Sequence, residues 1–191
     1  RNSAIIESTG DFLIFSDGDL LFHPLFFHDF KKRITPGTAF IGSRVFLTPE
    51  SSQRIIDREL QKLKIPFWSR AVETNRLNAM RIPLAGRLFA PVPYSSLLRG
   101  GLSGIWKSDI QAVNGWNESF SGWGFEDTEL ISRLYNKGII LQKIKFAAIT
   151  YHMWHPVANR ELLTENRRLL RNTVDNRLTW CSNGLIKTER I

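Results

Sequence analysis

Gly122-Trp123-Gly124-Phe125-Glu126-Asp127, with Glu129 two residues on, sets carboxylates at the head of an amphipathic run through Leu130, Ile131, Leu134 and Tyr135. The run predicts a helix, and the macrodipole at its first turn favours ionised acids. Trp123 between two glycines offers a platform for an apolar ring face, such as that of a sugar. A second acidic pair, Asp17-Gly18-Asp19, closes the apolar run Phe12-Leu13-Ile14-Phe15. Carboxylate oxygens suit a hard divalent cation shared with substrate phosphates. The two acidic sites therefore suggest two tasks, holding a metal and taking a proton.

Each motif also has a plainer reading. Asp-Gly makes turns, and acids at a helix start serve as caps. Capping leaves Gly122-Trp123-Gly124 unexplained, whereas a loop that closes on substrate needs both its mobility and its aromatic. His152 and His155, in Tyr151-His152-Met153-Trp154-His155-Pro156, can meet a metal from a turn or simply fill an aromatic cluster. His23 and His28 read as structural or surface residues.

The elements that must carry these residues alternate. Residues 3–8 read as a helix, and residues 12–15, continuously apolar, as a strand covered on both faces. That places Asp17 and Asp19 at a strand's carboxyl end, where open α/β sheets bind ligands. A helix from Pro24 to Ile34, a strand over 38–47 and a helix opened by Thr48-Pro49 and running to about Leu63 follow. Pro66, Pro83, Pro91 and Pro93 break residues 64–98 into an irregular, partly mobile excursion over the sheet. Gly100-Gly101-Leu102-Ser103-Gly104-Ile105-Trp106 reads as a glycine-rich strand approached closely by a ligand or another backbone. A short helix over 108–113, the acidic helix ending at Lys137-Gly138, strands within 139–149 and a long helix over 159–180 complete an α/β layer structure.

With 191 residues, the chain needs only one core, and its 42% hydrophobic and 23% charged composition is that of an ordinary globular protein. A single cysteine, Cys181, excludes an internal disulfide and fits a reducing compartment. The net charge of +8 is spread along the chain without a nucleic-acid motif, which favours phosphate-bearing ligands or lipid head groups over nucleic acid. Arg160, Arg167, Arg168, Arg171 and Arg177 on the last helix form either a solvated face or a contact with an anionic leaflet.

Taken in order, Phe15-Ser16-Asp17-Gly18-Asp19-Leu20, Gly100-Gly101-Leu102-Ser103, Asn114-Gly115-Trp116, Gly122 to Glu129 and Arg133-Leu134 resemble the inverting GT-A glycosyltransferases of family 2. The likeness is strongest to their galactosyltransferase-type C-terminal region, shared with β-1,4-galactosyltransferases and bacterial chondroitin polymerases. It runs from Arg1-Asn2, similar to the family's helix before its acidic motif, to about His155.

The resemblance implies a GT-A-type mixed sheet flanked by helices, the C-terminal portion of the full fold, without the N-terminal nucleotide-binding half. Residues 1–158 would hold metal and acceptor, with 159–191 a C-terminal helix and tail beside them. Asp17 would contact the nucleotide and Asp19 the metal, with His155 and His152 as further ligands. Asp127 would be the general base, Glu126 a partner of the acceptor hydroxyl, and Trp123 and Gly101 part of the donor site. Phe125 stands where the galactosyltransferase branch has glycine.

The implied cofactor is Mn²⁺ or Mg²⁺ and the implied donor a UDP-sugar. The acceptor would be a carbohydrate, lipid-linked in one version, in bacterial surface-polysaccharide synthesis. The expected location is cytoplasmic, with peripheral contact at the inner face of the plasma membrane. Two alternatives remain open: a non-catalytic carbohydrate-binding GT-A remnant, and a sugar nucleotidyltransferase. The second would want a glycine-rich, lysine-bearing phosphate loop near its start.

Overall fold

Side chains on alternate sides of Phe12–Ser16 (β1) divide between two cores, Leu13 and Phe15 into one, Phe12 and Ile14 into the other. The expected two-sided cover is therefore present, although β1 is an edge strand and its side chains stay half-buried. A computed structural model describes residues 1–57, 64–82, 101–156 and 159–187. Among these residues the chain is a mixed α/β structure with two four-stranded mixed sheets flanked by helices, consistent with a GT-A-like glycosyltransferase domain.

The first sheet has the order β1-β6-β3-β7, built from β1, Leu102–Trp106 (β6), Thr38–Ile41 (β3) and Ile140–Lys143 (β7). Only β3 and β7 run parallel in it. The second has the order β2-β8-β4-β5, built from Leu20–Phe22 (β2), Thr150–His152 (β8), Arg44–Leu47 (β4) and Val72–Thr74 (β5). There β4 and β8 are the parallel pair. The chain passes from the first sheet to the second between β1 and β2, between β3 and β4, and between β7 and β8.

On one face of the first sheet, Ile5 of Asn2–Glu7 (α1), Ile110 of Lys107–Ala112 (α4) and Leu130, Ile131 and Leu134 of Glu126–Asn136 (α5) close over Ala39, Ile41 and Ile105. On the other, Phe26 and Phe30 of Phe26–Lys31 (α2) meet Phe40 and Leu102. Pro49–Ile56 (α3) is capped by Thr48, whose hydroxyl accepts from the Ser51 N–H at 3.2 Å. Leu163–Asp175 (α6) packs on α5.

Several expectations change. The single strand over 38–47 is two strands in different sheets, because Gly42 and Ser43 turn the chain between them. Ser43 is buried, donating to the Ile144 carbonyl at 2.6 Å and accepting from Thr150 Oγ1 at 2.9 Å. Within the 64–98 excursion, Ile65, Val72 and Ala79 enter a third core with Val45, Leu47 and Tyr151, and β5 pairs with β4. Residues 83–98 lie outside the described residues, as do 58–63, where the third helix was expected to end. Tyr151 and His152 belong to β8 itself rather than following a strand that ends at Ile149. The last helix covers 163–175 and not 159–180, and α2 stops at Lys31.

Candidate metal centre and catalytic site

The acidic triplet spans the change of sheet. Asp17 donates its N–H to the Gly101 carbonyl at 2.9 Å, extending the β1–β6 ladder, while the Asp19 carbonyl accepts from Met153 N–H at 3.0 Å beside β2 and β8. Backbone pairing thus sends the two carboxylates to different neighbours.

Asp19 Oδ2 lies 3.3 Å from His152 Nε2 and 3.0 Å from His155 Nε2. One ligand atom from each of the three residues falls within 4.8 Å of the others. The rings are held from behind, His152 against Phe46 at 4.8 Å between centroids, and His155 by Nδ1 at 2.7 Å from the Pro156 carbonyl. A carbonyl only accepts, so Nδ1 carries the proton. His155 Nε2 is then a lone pair for a cation or, in the imidazolium, a donor to Asp19.

Asp19 Oδ1 and His152 Nδ1 are buried without a hydrogen-bond partner. Burial first, then Arg44 and His155, hold the His152 imidazole below its ordinary value despite Asp19 and the Met153 backbone, a shift toward the neutral form that a ligand needs. One carboxylate and two imidazoles suit Mn²⁺ or a similar divalent ion, and three protein ligands leave room for phosphate oxygens. The donor set fits the metal.

The second cluster gathers on the other side of Gly18. Asp127 Oδ1 receives Arg1 Nη1 at 2.9 Å, and the Gly101 backbone also hydrogen-bonds the carboxyl. Glu126 Oε2 accepts from Gly124 N–H at 3.1 Å. Neither acid is the helix cap: that position is Phe125, which makes no side-chain cap bond. The Asp127 side chain is only 18% exposed. Burial pushes its pKa up to about 6; Glu126 and Asp17 also raise it, against Arg1 and the Gly101 hydrogen bond. A carboxylate titrating there is poised to take a proton near neutral pH. Asp17 is raised as well, by burial and Asp19 against Arg44 and Arg1.

Gly101 sits in a backbone conformation that favours glycine and close to two charged side chains. Its φ is +96°, and a Cβ would stand 2.5 Å from Arg44 Nη1 and 2.7 Å from Asp17 Oδ2. Trp123 is 44% exposed, with the Arg160 guanidinium 5.2 Å from its ring. Its loop is tethered to α6, since Asn166 Nδ2 donates to the carbonyls of Ser121 at 2.9 Å and Trp123 at 3.4 Å.

Glu129 leaves the carboxylate knot in which its spacing put it. It is 1% exposed and bidentate with Arg133, at 2.8 Å for both contacts, and accepts from Thr173 Oγ1 at 2.9 Å. Arg133 also donates to the Val113 and Gly115 carbonyls. His23 is buried and His28 exposed, in keeping with their structural and surface readings. Arg1, Arg44 and Trp116 are site neighbours that residue types alone did not single out; the Arg1-Asn2 pair at the head of the recognised motif order was the available signal.

Residues 87–156 match the family model described as the N-terminal domain of galactosyltransferase. The chain is 33% identical over 66 residues to beta-1,4-galactosyltransferase 5 of Sus scrofa, covering 32% of this chain and 17% of that protein. The chain thus matches about a sixth of the length of that curated relative. Both similarities support a GT-A-like, galactosyltransferase-type domain, and the family match spans Gly101, Glu126, Asp127, His152 and His155.

Proposed function

We propose that this protein is a metal-dependent, inverting glycosyltransferase of family 2 that moves a sugar from a UDP-sugar to a carbohydrate acceptor. The observation that carries the reading is an Asp19–His152–His155 ligand set beside a half-buried Asp127 whose pKa is pushed up to about 6. Asp19, His152 and His155 would hold Mn²⁺ or Mg²⁺, which when bound supplies electrostatic stabilisation of the diphosphate leaving group.

Asp127 accepts the proton of the acceptor hydroxyl as that oxygen bonds to the anomeric carbon and the bond from that carbon to the UDP oxygen breaks. A single displacement inverts the centre. Glu126 holds the acceptor hydroxyl, Asp17 the nucleotide, and Trp123 offers its exposed ring to a sugar face. The single cysteine, Cys181, and the resemblance to chondroitin polymerases support a role in bacterial surface polysaccharide made at the cytoplasmic side. No helix among the described residues is long and apolar enough to cross a membrane.

The test is calorimetric titration of UDP with and without Mn²⁺, followed by a donor-sugar screen on the native protein and Asp127→Asn. Manganese-dependent UDP binding that survives Asp127→Asn, with turnover lost, is expected. Equal turnover in the variant would sink the proposal in favour of a different base, and saccharide binding with no turnover in either protein would favour a carbohydrate-binding remnant.

A further inference from the structure

Arg1 occupies a position that neither the metal nor the base assignment uses. Its Nη1 is 2.9 Å from Asp127 Oδ1 and 3.7 Å from Glu126 Oε1, while Nη2 is 3.8 Å from Asp17 Oδ1. Three carboxylates on two different elements therefore converge on one guanidinium. The side chain is not placed by these acids alone. Its guanidinium carbon lies 4.2 Å from the centroid of the Trp116 ring.

The neighbouring Asn2 is 6% exposed and locks that ring's backbone. Its Oδ1 accepts from Trp116 N–H at 2.8 Å, and its Nδ2 donates to the Trp116 carbonyl at 2.9 Å and to Glu118 Oε1 at 2.8 Å. Stacking limits the rotamer freedom that makes most exposed ion pairs weak. A planar guanidinium can span separated carboxylates in a way that a single ammonium cannot.

Without a cation between them, Asp17, Glu126 and Asp127 repel one another in a half-buried site. We propose that Arg1 is a positioning residue for the transfer: stacked on Trp116, it fixes the Asp127 carboxylate for proton acceptance and ties it to Asp17 on the nucleotide side. The inference rests on the reading of Asp127 as the base. The groups facing Asp127 are the charges of Arg1, Glu126 and Asp17 and the Gly101 backbone, so Arg1 is the cation that opposes two acids there.

The test uses Arg1→Ala and Arg1→Lys in the full-length protein, with steady-state kinetics across pH and a carbon-13 NMR titration of the Asp127 carboxyl, which needs no turnover. In Arg1→Ala, kcat at pH 7 should fall by about 30-fold while the donor KM moves by less than about threefold. The acid limb of kcat and the NMR titration of Asp127 should both move up by about one unit or more. Arg1→Lys, which keeps the charge but not the planar fork, should recover most of the titration and only part of kcat. Native kcat and an unmoved limb in Arg1→Ala would overturn the proposal. So would a loss that follows the folded fraction by circular dichroism with no movement of the Asp127 titration. An inactive Asp127→Asn beside a native-like Arg1→Ala leaves the base and removes the clamp; an active Asp127→Asn removes the base itself.

Discussion

Asp17 and Asp19, two residues apart in the connection between β1 and β2, are tied by their backbones to different sheets: Asp17 bonds to Gly101 at the end of β1 and β6, Asp19 to Met153 beside β2 and β8. One carboxylate therefore faces Arg1, Arg44 and Glu126, and the other faces two imidazoles. The different surroundings of the two carboxylates follow from the sheet boundary at Gly18.

Asp127 should cost stability in return for reactivity. Its folded pKa of about 6 lies above the 3.8 of a free aspartate, so the folded state disfavours the ionised form. The penalty is absent below pH 3.8, grows between 3.8 and about 6, and is complete above that. The gap corresponds to at most about 3 kcal/mol. Asp127→Asn should therefore be more resistant to urea than the native protein at pH 7.5 and show no such gain at pH 3.5, while kcat falls by about 10²–10⁴-fold. With Asp127 as the proposed base, kcat of the native protein should rise with pH through about 6 as its carboxyl ionises.

Manganese should bind and stabilise. At a free concentration of about 100 times its Kd, Mn²⁺ should add about 2.7 kcal/mol to unfolding, read as a raised Tm and reversed by EDTA. Asp19→Ala, His152→Ala and His155→Ala should each abolish the shift, because each removes one of the three donors that lie within 4.8 Å. A Tm that is indifferent to Mn²⁺ in the native protein would remove the metal assignment.

The Glu129–Arg133 pair is fully enclosed, at 1% and 0% side-chain exposure. Arg133→Met strands the Glu129 charge and should cost about 3–5 kcal/mol by chemical denaturation. Replacing both by Met and Leu should cost far less than the sum of the two single changes, since no unpaired charge remains.

Gly101→Ala should impair the site and the fold together. A φ of +96° suits glycine alone, and the new methyl would meet Arg44 and Asp17. We expect a loss of about 1–3 kcal/mol in stability and weaker UDP binding, measured by denaturation and calorimetry. Gly18→Ala has open space around its Cβ and serves as the control that should change little.

Phe125 illustrates how far residue types reach. Its φ of +72° puts it in the left-handed region, which glycine takes without a steric cost. The branch difference noted from the sequence thus coincides with backbone strain directly before Glu126 and Asp127. Phe125→Gly should stay within about 1 kcal/mol of native, as relief of strain offsets lost contact and added chain entropy. Phe125→Val, β-branched at the same φ, should lose about 2 kcal/mol in the same denaturation assay.

Local signals were enough wherever the physics is local. The apolar period of α5, the Thr48-Pro49 start of α3, the strand before Asp17 and the order of the acidic and histidine motifs are written in neighbouring residues, and the mixed α/β class follows from their alternation. What depends on pairing across the chain was not written there. That 38–47 is two strands, that β5 lies within a proline-broken stretch, and that Tyr151 and His152 are strand residues are settled by backbone partners on other strands, distant along the chain, or by burial of Ser43. Glu129 and Asp127 look alike in sequence, two positions apart on one helix. The helix turn points one at Arg133 and Thr173 in the core and the other at Arg1 and Gly101 in the candidate site, and only packing from α6 and α1 decides which carboxylate is enclosed and which stays half-buried.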